Sequence, residues 1–273
     1  MKFGNTALQV GKKTLMMGVL NVTPDSFSDG GKFISASKAV EHALKMIQDG
    51  ADIVDVGGES TKPGSDAVEI QEELNRVIPV IQKLAQKTTT PISIDSYKPE
   101  VVEKALEAGA GMINDVNGLR SKGMAELAAE YDVPVCIMHM QGTPKNMQQN
   151  PVYKNVIKEV KSFLKKQADN AIKKGVDKNK IIIDPGIGFG KTTEHNIQLI
   201  RNLKEFKKLG YPVMVGPSRK AFIGNILNLP VEERLSGTIA AATICAINGA
   251  DIIRVHDVRE VKQAILLAET IIR

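Results

Sequence analysis

Residues 15–31 read LMMGVLNVTPDSFSDGG, and this stretch decides the fold. Leu15 to Leu20 is an unbroken apolar run of the kind a strand buried on both faces needs. Asn21 then places a side-chain amide where the strand ends. Thr23-Pro24-Asp25-Ser26 is a cluster of turn formers, and Gly30-Gly31 closes it. A buried strand that hands a polar residue to a Gly/Pro-rich loop suits a site at the C-terminal edge of a parallel sheet. Taken alone the stretch reads as a solvated strand-to-helix turn. Recurrence of the same event along the chain outweighs that reading.

Upstream, Lys2 to Lys13 has the turn signals of a short hairpin, Gly4-Asn5 and Gly11, and is expected to cap one end of the fold. Downstream, strand-like and helix-like runs alternate. Ser35 is placed to cap a helix reaching about Asp49. Asp52 to Val56 leads into Gly57-Gly58-Glu59-Ser60-Thr61, and Val68 to Gln86 is helical by period. Pro91 to Ile94 ends at Asp95, and Gly111 to Ile113 leads to Asn114-Asp115. Val133 to Met138 leads to His139, Lys180 to Ile183 to Asp184-Pro185-Gly186, and Val213 to Val215 to Gly216-Pro217-Ser218-Arg219-Lys220. Glu194 to Leu209 and Ile239 to Asn248 are helical, and Asp251 to Ile253 leads to Arg254-Val255-His256-Asp257. About eight strand-then-helix units in 273 residues predict a single (β/α)₈ TIM barrel over residues 15–273, preceded by the hairpin of residues 1–13. An open doubly wound sheet, which keeps its ligand at one switch point, is the runner-up.

Composition sets the outer bounds. Hydrophobic residues make up 42% and charged residues 25%, as in an ordinary globular chain, and there is no Trp. The low aromatic content argues against a nucleic-acid binder that works by stacking. The net charge is +5, but the Lys-rich stretch 154–180 carries its lysines on one face of an amphipathic helix. Cys136 and Cys245 lie in apolar runs and read as small buried hydrophobes. No apolar run approaches membrane-spanning length, so a cytoplasmic protein without membrane or nucleic-acid partners is expected.

A barrel brings its strand ends to one basin, so Asn21, Thr61, Asp95, Asn114, Asp184, Lys220, Arg254 and His256 are expected to share one pocket. A lone carboxylate beyond a strand is most often a helix cap, which remains open for Asp115 and Asp257. Caps have no need of Lys, Arg and His. Asp95, Asn114 and Asp184 offer acceptors and one amide, suited to a flat heterocycle with a 2-amino-pyrimidinone edge. Arg254 and His256, two residues apart on the last strand, face the same way and suit phosphate oxygens. Asn21 is a neutral oxygen ligand acceptable to Mg²⁺. The Gly216–Lys220 turn into a helix favours an anion, although it lacks Walker-loop spacing. A Schiff-base role for Lys220 ranks lower, and His139 with Met140 reads as structural.

GVLNVTPDSFSDGG, GGESTKPG, IDS, NDVNG, DPGIGFGK, GPSRKAFIG and RVHD, in this order, resemble the dihydropteroate synthases, from about Leu15 to the end of the chain. The resemblance implies a Mg²⁺-dependent homodimeric transferase of folate biosynthesis and a sulfonamide target. Such an enzyme joins 6-hydroxymethyl-7,8-dihydropterin pyrophosphate to p-aminobenzoate, giving 7,8-dihydropteroate and pyrophosphate. It puts Mg²⁺ on Asn21 and the pterin on Asp95, Asn114, Asp184 and Lys220, in a slot lined by Met138, Phe189 and Gly216. Arg254, His256 and Asn21 would hold the pyrophosphate, with Thr61 near it. Ser218 would take the p-aminobenzoate carboxylate, with Phe27, Lys62 and Pro63 on the loops closing that site. Asp95, Lys220, Arg254 and His256 are the expected catalytic groups. The family pattern usually has Arg at Lys62, and Lys cannot form the bidentate fork; Asn117 stands where Ser is common. The alternatives are a pterin-dependent methyltransferase of the same barrel class and a non-catalytic pterin-binding paralogue.

Overall fold

The computed structural model describes residues 1–23 and 32–272. Strands β1 (Lys2–Phe3) and β2 (Thr6–Ala7) form an antiparallel hairpin. Eight parallel strands follow: β3 (Leu15–Asn21), β4 (Ile53–Gly57), β5 (Ile92–Asp95), β6 (Met112–Asp115), β7 (Val135–Met138), β8 (Ile181–Asp184), β9 (Met214–Val215) and β10 (Ile252–Val255). Their order is β8-β7-β6-β5-β4-β3-β10-β9. A parallel bridge between Ile183 and Val213, with the Ile183 N–H donating to Pro212 O at 3.0 Å, joins β8 to the chain entering β9 and completes the ring. The expected TIM barrel is therefore present.

The helices are α1 (Lys32–Gln48), α2 (Ile70–Ala85), α3 (Pro99–Glu107), α4 (Met124–Glu130), α5 (Val156–Lys173), α6 (Thr193–Arg201), α7 (Leu203–Lys207), α8 (Ala221–Leu227), α9 (Leu235–Ile247) and α10 (Val258–Ile272). Two expectations are corrected. Helix α1 starts at Lys32, so Ser35 lies inside its first turn instead of capping it. The single helix expected over 194–209 is two, α6 and α7, separated at Asn202; its side-chain amide bonds the Gln198 carbonyl, and its backbone leaves α geometry.

Strand periodicity divides the core. Outward residues such as Val54, Ile94, Ile113 and Ile137 pack against the helices, where Val77, Ile81, Val102 and Leu164 meet them. The inward face changes character along the barrel axis. Its lower level is apolar, with Leu15, Met17, Ile53, Met112, Cys136, Ile182, Met214 and Ile252 in one cluster. Phe3 of the hairpin, 1% exposed, belongs to the same cluster and plugs the N-terminal end. Burial of one such aromatic contributes roughly 1.5–3 kcal/mol. Both cysteines are buried and free. Above the apolar level the inward face turns polar.

Candidate active site

The register fixes the upper level. Asn21 pairs with Gly57, Gly57 with Asp95, and Asp95 with Asn114, one rung across β3, β4, β5 and β6. Met138 pairs with Asp184 at the ends of β7 and β8. Asn114 pairs with Cys136 and Cys136 with Ile182, so Met138 and Asp184 stand two residues further along their strands; the rung from Asn21 to Asn114 alone brings residues 93 positions apart into line.

Arg254 occupies the centre. Its Nη2 donates to Asp95 Oδ2 at 2.5 Å and its Nε to Asp55 Oδ2 at 2.6 Å. Asn114 Nδ2 donates to the same Asp55 oxygen at 3.0 Å. One carboxylate therefore couples the amide of β6 to the guanidinium of β10. The acids and the arginine, expected to share one pocket with different tasks, interlock. Gly216 lies against Arg254: a Cβ there would come within 3.6 Å of the arginine Cβ.

Burial dominates the charges here. It raises Asp95 to about 7, against the pull of Arg254 and with Asp55 reinforcing the rise. Asp184 is also raised by burial, opposed by Lys220. Lys220 is lowered to about 8 by burial, with Asp184 opposing. Burial works against the charge on Arg254, but Asp55 and Asp95 outweigh it and hold the guanidinium above its ordinary range.

Beside this centre Val116, Met138, Met140, Met147 and Phe189 pack as one buried apolar cluster, with Tyr97 against it. Lys220 Nζ stands 4.4 Å from the Phe189 ring centroid and donates to Ile187 O. Asp184 Oδ1 accepts from the Gly186 N–H at 2.6 Å, so one of its oxygens organises the Asp-Pro-Gly turn. At the far side, Ser218 Oγ and His256 Nδ1 are 2.9 Å apart, which ties the turn after β9 to the end of β10. Desolvation first, then Arg254 and Arg219, hold the His256 imidazole below its usual range; the residue is exposed at the rim, where solvent tempers this.

Thr61 is half-buried, and Lys62 and Pro63 are exposed on the loop after β4. The Gly64 N–H of that loop donates to Pro144 O at 3.0 Å, which leans it on the loop after β7. Phe27 lies outside the described residues. Asp115 accepts from the N–H groups of Asn117 and Leu119 and is a turn cap, and Asp257 pairs with Arg219 at 2.5 Å. His139 is structural, as expected: Lys191 Nζ lies 3.0 Å from its Nδ1 and also donates to His139 O and Phe189 O.

Asp55 is the main residue that sequence reasoning missed. Its signal was available: an acid alternating with apolar residues inside Ile53–Gly57, inward by period, and 0% exposed. Lys191, 1% exposed, was also missed, since nothing in GFGK marks its side chain as inward.

A closed parallel barrel whose strand ends carry interlocked acids, an amide and an arginine has the architecture of a TIM-barrel enzyme. The family model described as pterin binding enzyme matches residues 17–256. The chain is 48% identical to a dihydropteroate synthase of Clostridium beijerinckii, over the full length of both. Among solved structures it superposes on a Yersinia pestis dihydropteroate synthase in a sulfonamide drug complex with a TM-score of 0.94, at 43% identity, covering 99% of this chain and 98% of that one. It superposes on a dihydropteroate synthase of Clostridium difficile, crystallised in the presence of pteroic acid, with a TM-score of 0.92, at 49% identity, covering 98% and 100%. The chain belongs to the dihydropteroate synthase family, transferases of folate biosynthesis.

Proposed function

We propose that the site joins 6-hydroxymethyl-7,8-dihydropterin pyrophosphate to p-aminobenzoate, with the residue roles that follow. The observation that carries this is the contact of Arg254 with Asp95 and, through Asp55, with Asn114: groups suited to a pterin and a group suited to a diphosphate meet within one ligand's reach.

Asp184, Asn114 and Asp95 bind the polar edge of the pterin, and Lys220 and Phe189 hold its ring. Arg254 and His256 take the negative charge that develops on the departing pyrophosphate. Asp95, next to the ring, stabilises the positive charge left on the pterin methylene. The p-aminobenzoate nitrogen then attacks that carbon, and Ser218 holds its carboxylate. Thr61, Lys62 and Pro63 close the second site and keep water from the cation, a task Phe27 shares.

Mg²⁺ fits as a weakly held partner. Among the described residues no three His, Cys, Asp or Glu side chains gather as a metal set. Asn21, at the end of β3 on the rung of Asp95, offers one hard neutral oxygen, which suits an ion that keeps waters and substrate phosphates as its other ligands. When bound, the ion would supply charge neutralisation at the leaving group.

We further propose a homodimer. Ile226 and Leu227 on α8, Ile244 and Ile247 on α9, and Leu266 and Leu267 on α10 are all exposed, and these helices pack in sequence. No helix among the described residues is long and apolar enough to cross a membrane.

The test of function is release of pyrophosphate by the purified chain from the pterin pyrophosphate. Release that requires p-aminobenzoate and yields dihydropteroate is expected. Release indifferent to p-aminobenzoate, or methyl transfer from a pterin, overturns the reading.

A further inference from the structure

The loop between β4 and α2 carries half-buried Thr61 and exposed Lys62 and Pro63 toward its tip, but its neck is buried and charged. Glu59 is 8% exposed and Glu73, on α2, 1%. Lys98 Nζ sits between them, donating to Glu59 Oε2 and to Glu73 Oε2, each at 2.5 Å. Its third proton goes to Val68 O at 2.5 Å, which uses every donor of the ammonium. The Val68 N–H in turn donates to Glu59 Oε2 at 2.9 Å. The two ends of the loop, Glu59 and Val68, are thereby pinned to each other and to one cation. Tyr97 Oη completes the neck, donating to the other Glu59 oxygen at 2.7 Å.

Tyr97 and Lys98 come directly after β5, two and three residues beyond Asp95. The strand that brings Asp95 to the pterin side of the mouth therefore also grips the loop expected over the second substrate. The tip is restrained at the surface: Ser65 Oγ donates to the carbonyls of Ser60 and Lys62, the Gly64 N–H to Pro144 O, and Asp66 pairs with Lys145 at 2.8 Å, an exposed pair of the kind that contributes little. A rigid neck under a loosely held tip lets the tip move while its point of attachment stays fixed.

We propose that Lys98, locked between Glu59 and Glu73, is a positioning residue for p-aminobenzoate capture; this rests on the function given above. It sets where the Ser60–Ala67 loop stands over the mouth and contributes nothing to holding the pterin. Lys98→Met would leave two buried carboxylates without their cation and is expected to fold poorly. The working variant is therefore Lys98→Met with Glu73→Gln, in which Glu59 keeps the Val68 N–H and Tyr97 Oη, beside the single change Lys98→Arg. Three measurements are made: KM for p-aminobenzoate, calorimetric Kd for the pterin pyrophosphate, and hydrogen exchange at the Val68 amide. In the double variant KM for p-aminobenzoate should rise tenfold or more, Kd for the pterin stay within twofold, and Val68 exchange faster. Lys98→Arg should recover most of the KM. A folded double variant with unchanged KM, or with both substrates weakened equally, overturns the proposal. Unchanged exchange at Val68 overturns the clamp whatever the substrate. Wild-type protein lacking p-aminobenzoate-dependent release overturns the functional reading instead.

Discussion

Arg254 is charged, centrally placed and held by two carboxylates, one of them wholly buried. Such a group can bind an incoming anion only in competition with its own neighbours, and the competition is unequal. Burial raises Asp95 to about 7, against the pull of Arg254, so protonation near neutral pH would remove the charge with which it competes for the guanidinium. Asp55, wholly buried, keeps its hold on Arg254 Nε. Replacing Arg254 by Ala removes the cation from both acids. Breaking a buried pair this way costs about 3–5 kcal/mol, so the urea midpoint should drop clearly. The drop should be smaller at pH 5, where Asp95 is protonated and no longer faces Asp55 as a like charge, than at pH 8. Calorimetry on the same variant should show the pterin pyrophosphate weakened far more than the pterin alcohol. Equal losses for the two ligands would count against the anion role.

At the scale of elements, the loops after β7 and β8 are joined by His139 and Lys191. Burial first, with Lys191 adding, lowers His139 to about 3, and burial holds Lys191 well below the ordinary amine range. Both groups therefore bind protons more tightly in the unfolded chain. From a His value of about 6.5 downward, the unfolded state gains a proton that native His139 refuses. Stability should fall as pH drops from about 6.5 toward 3, by at most ~1.4 kcal/mol per pH unit from this group. Lys191 acts with the same sign at higher pH. Urea midpoints between pH 4 and 7 should slope more steeply for the wild type than for His139→Gln; parallel slopes would remove His139 as the cause.

At the scale of the molecule, α8, α9 and α10 present their apolar residues to solvent on neighbouring helices. The purified chain should sediment at twice its 29.6 kDa mass, and Ile247→Glu should shift it toward that mass itself. A wild type that sediments as a monomer at micromolar concentration would refute the dimer.

The strand–helix alternation, the hairpin before it and the polar residue at each strand end were legible in the chain, because burial on both faces forces apolar runs and strand ends need turn formers. Sequence alone also singled out Asn114, Asp184, Lys220 and Arg254 as members of one basin, since caps do not require cations. It could not tell which of them touch. That Asp55 lies under the mouth, that one oxygen of it serves both Asn114 and Arg254, and that Lys98 closes the neck of a loop 30 residues earlier depend on register and ring closure. Those contacts join residues 25 to 199 positions apart, and local propensity carries no information over such separations. Period decides which way a side chain faces; only the closing of the barrel decides what it meets.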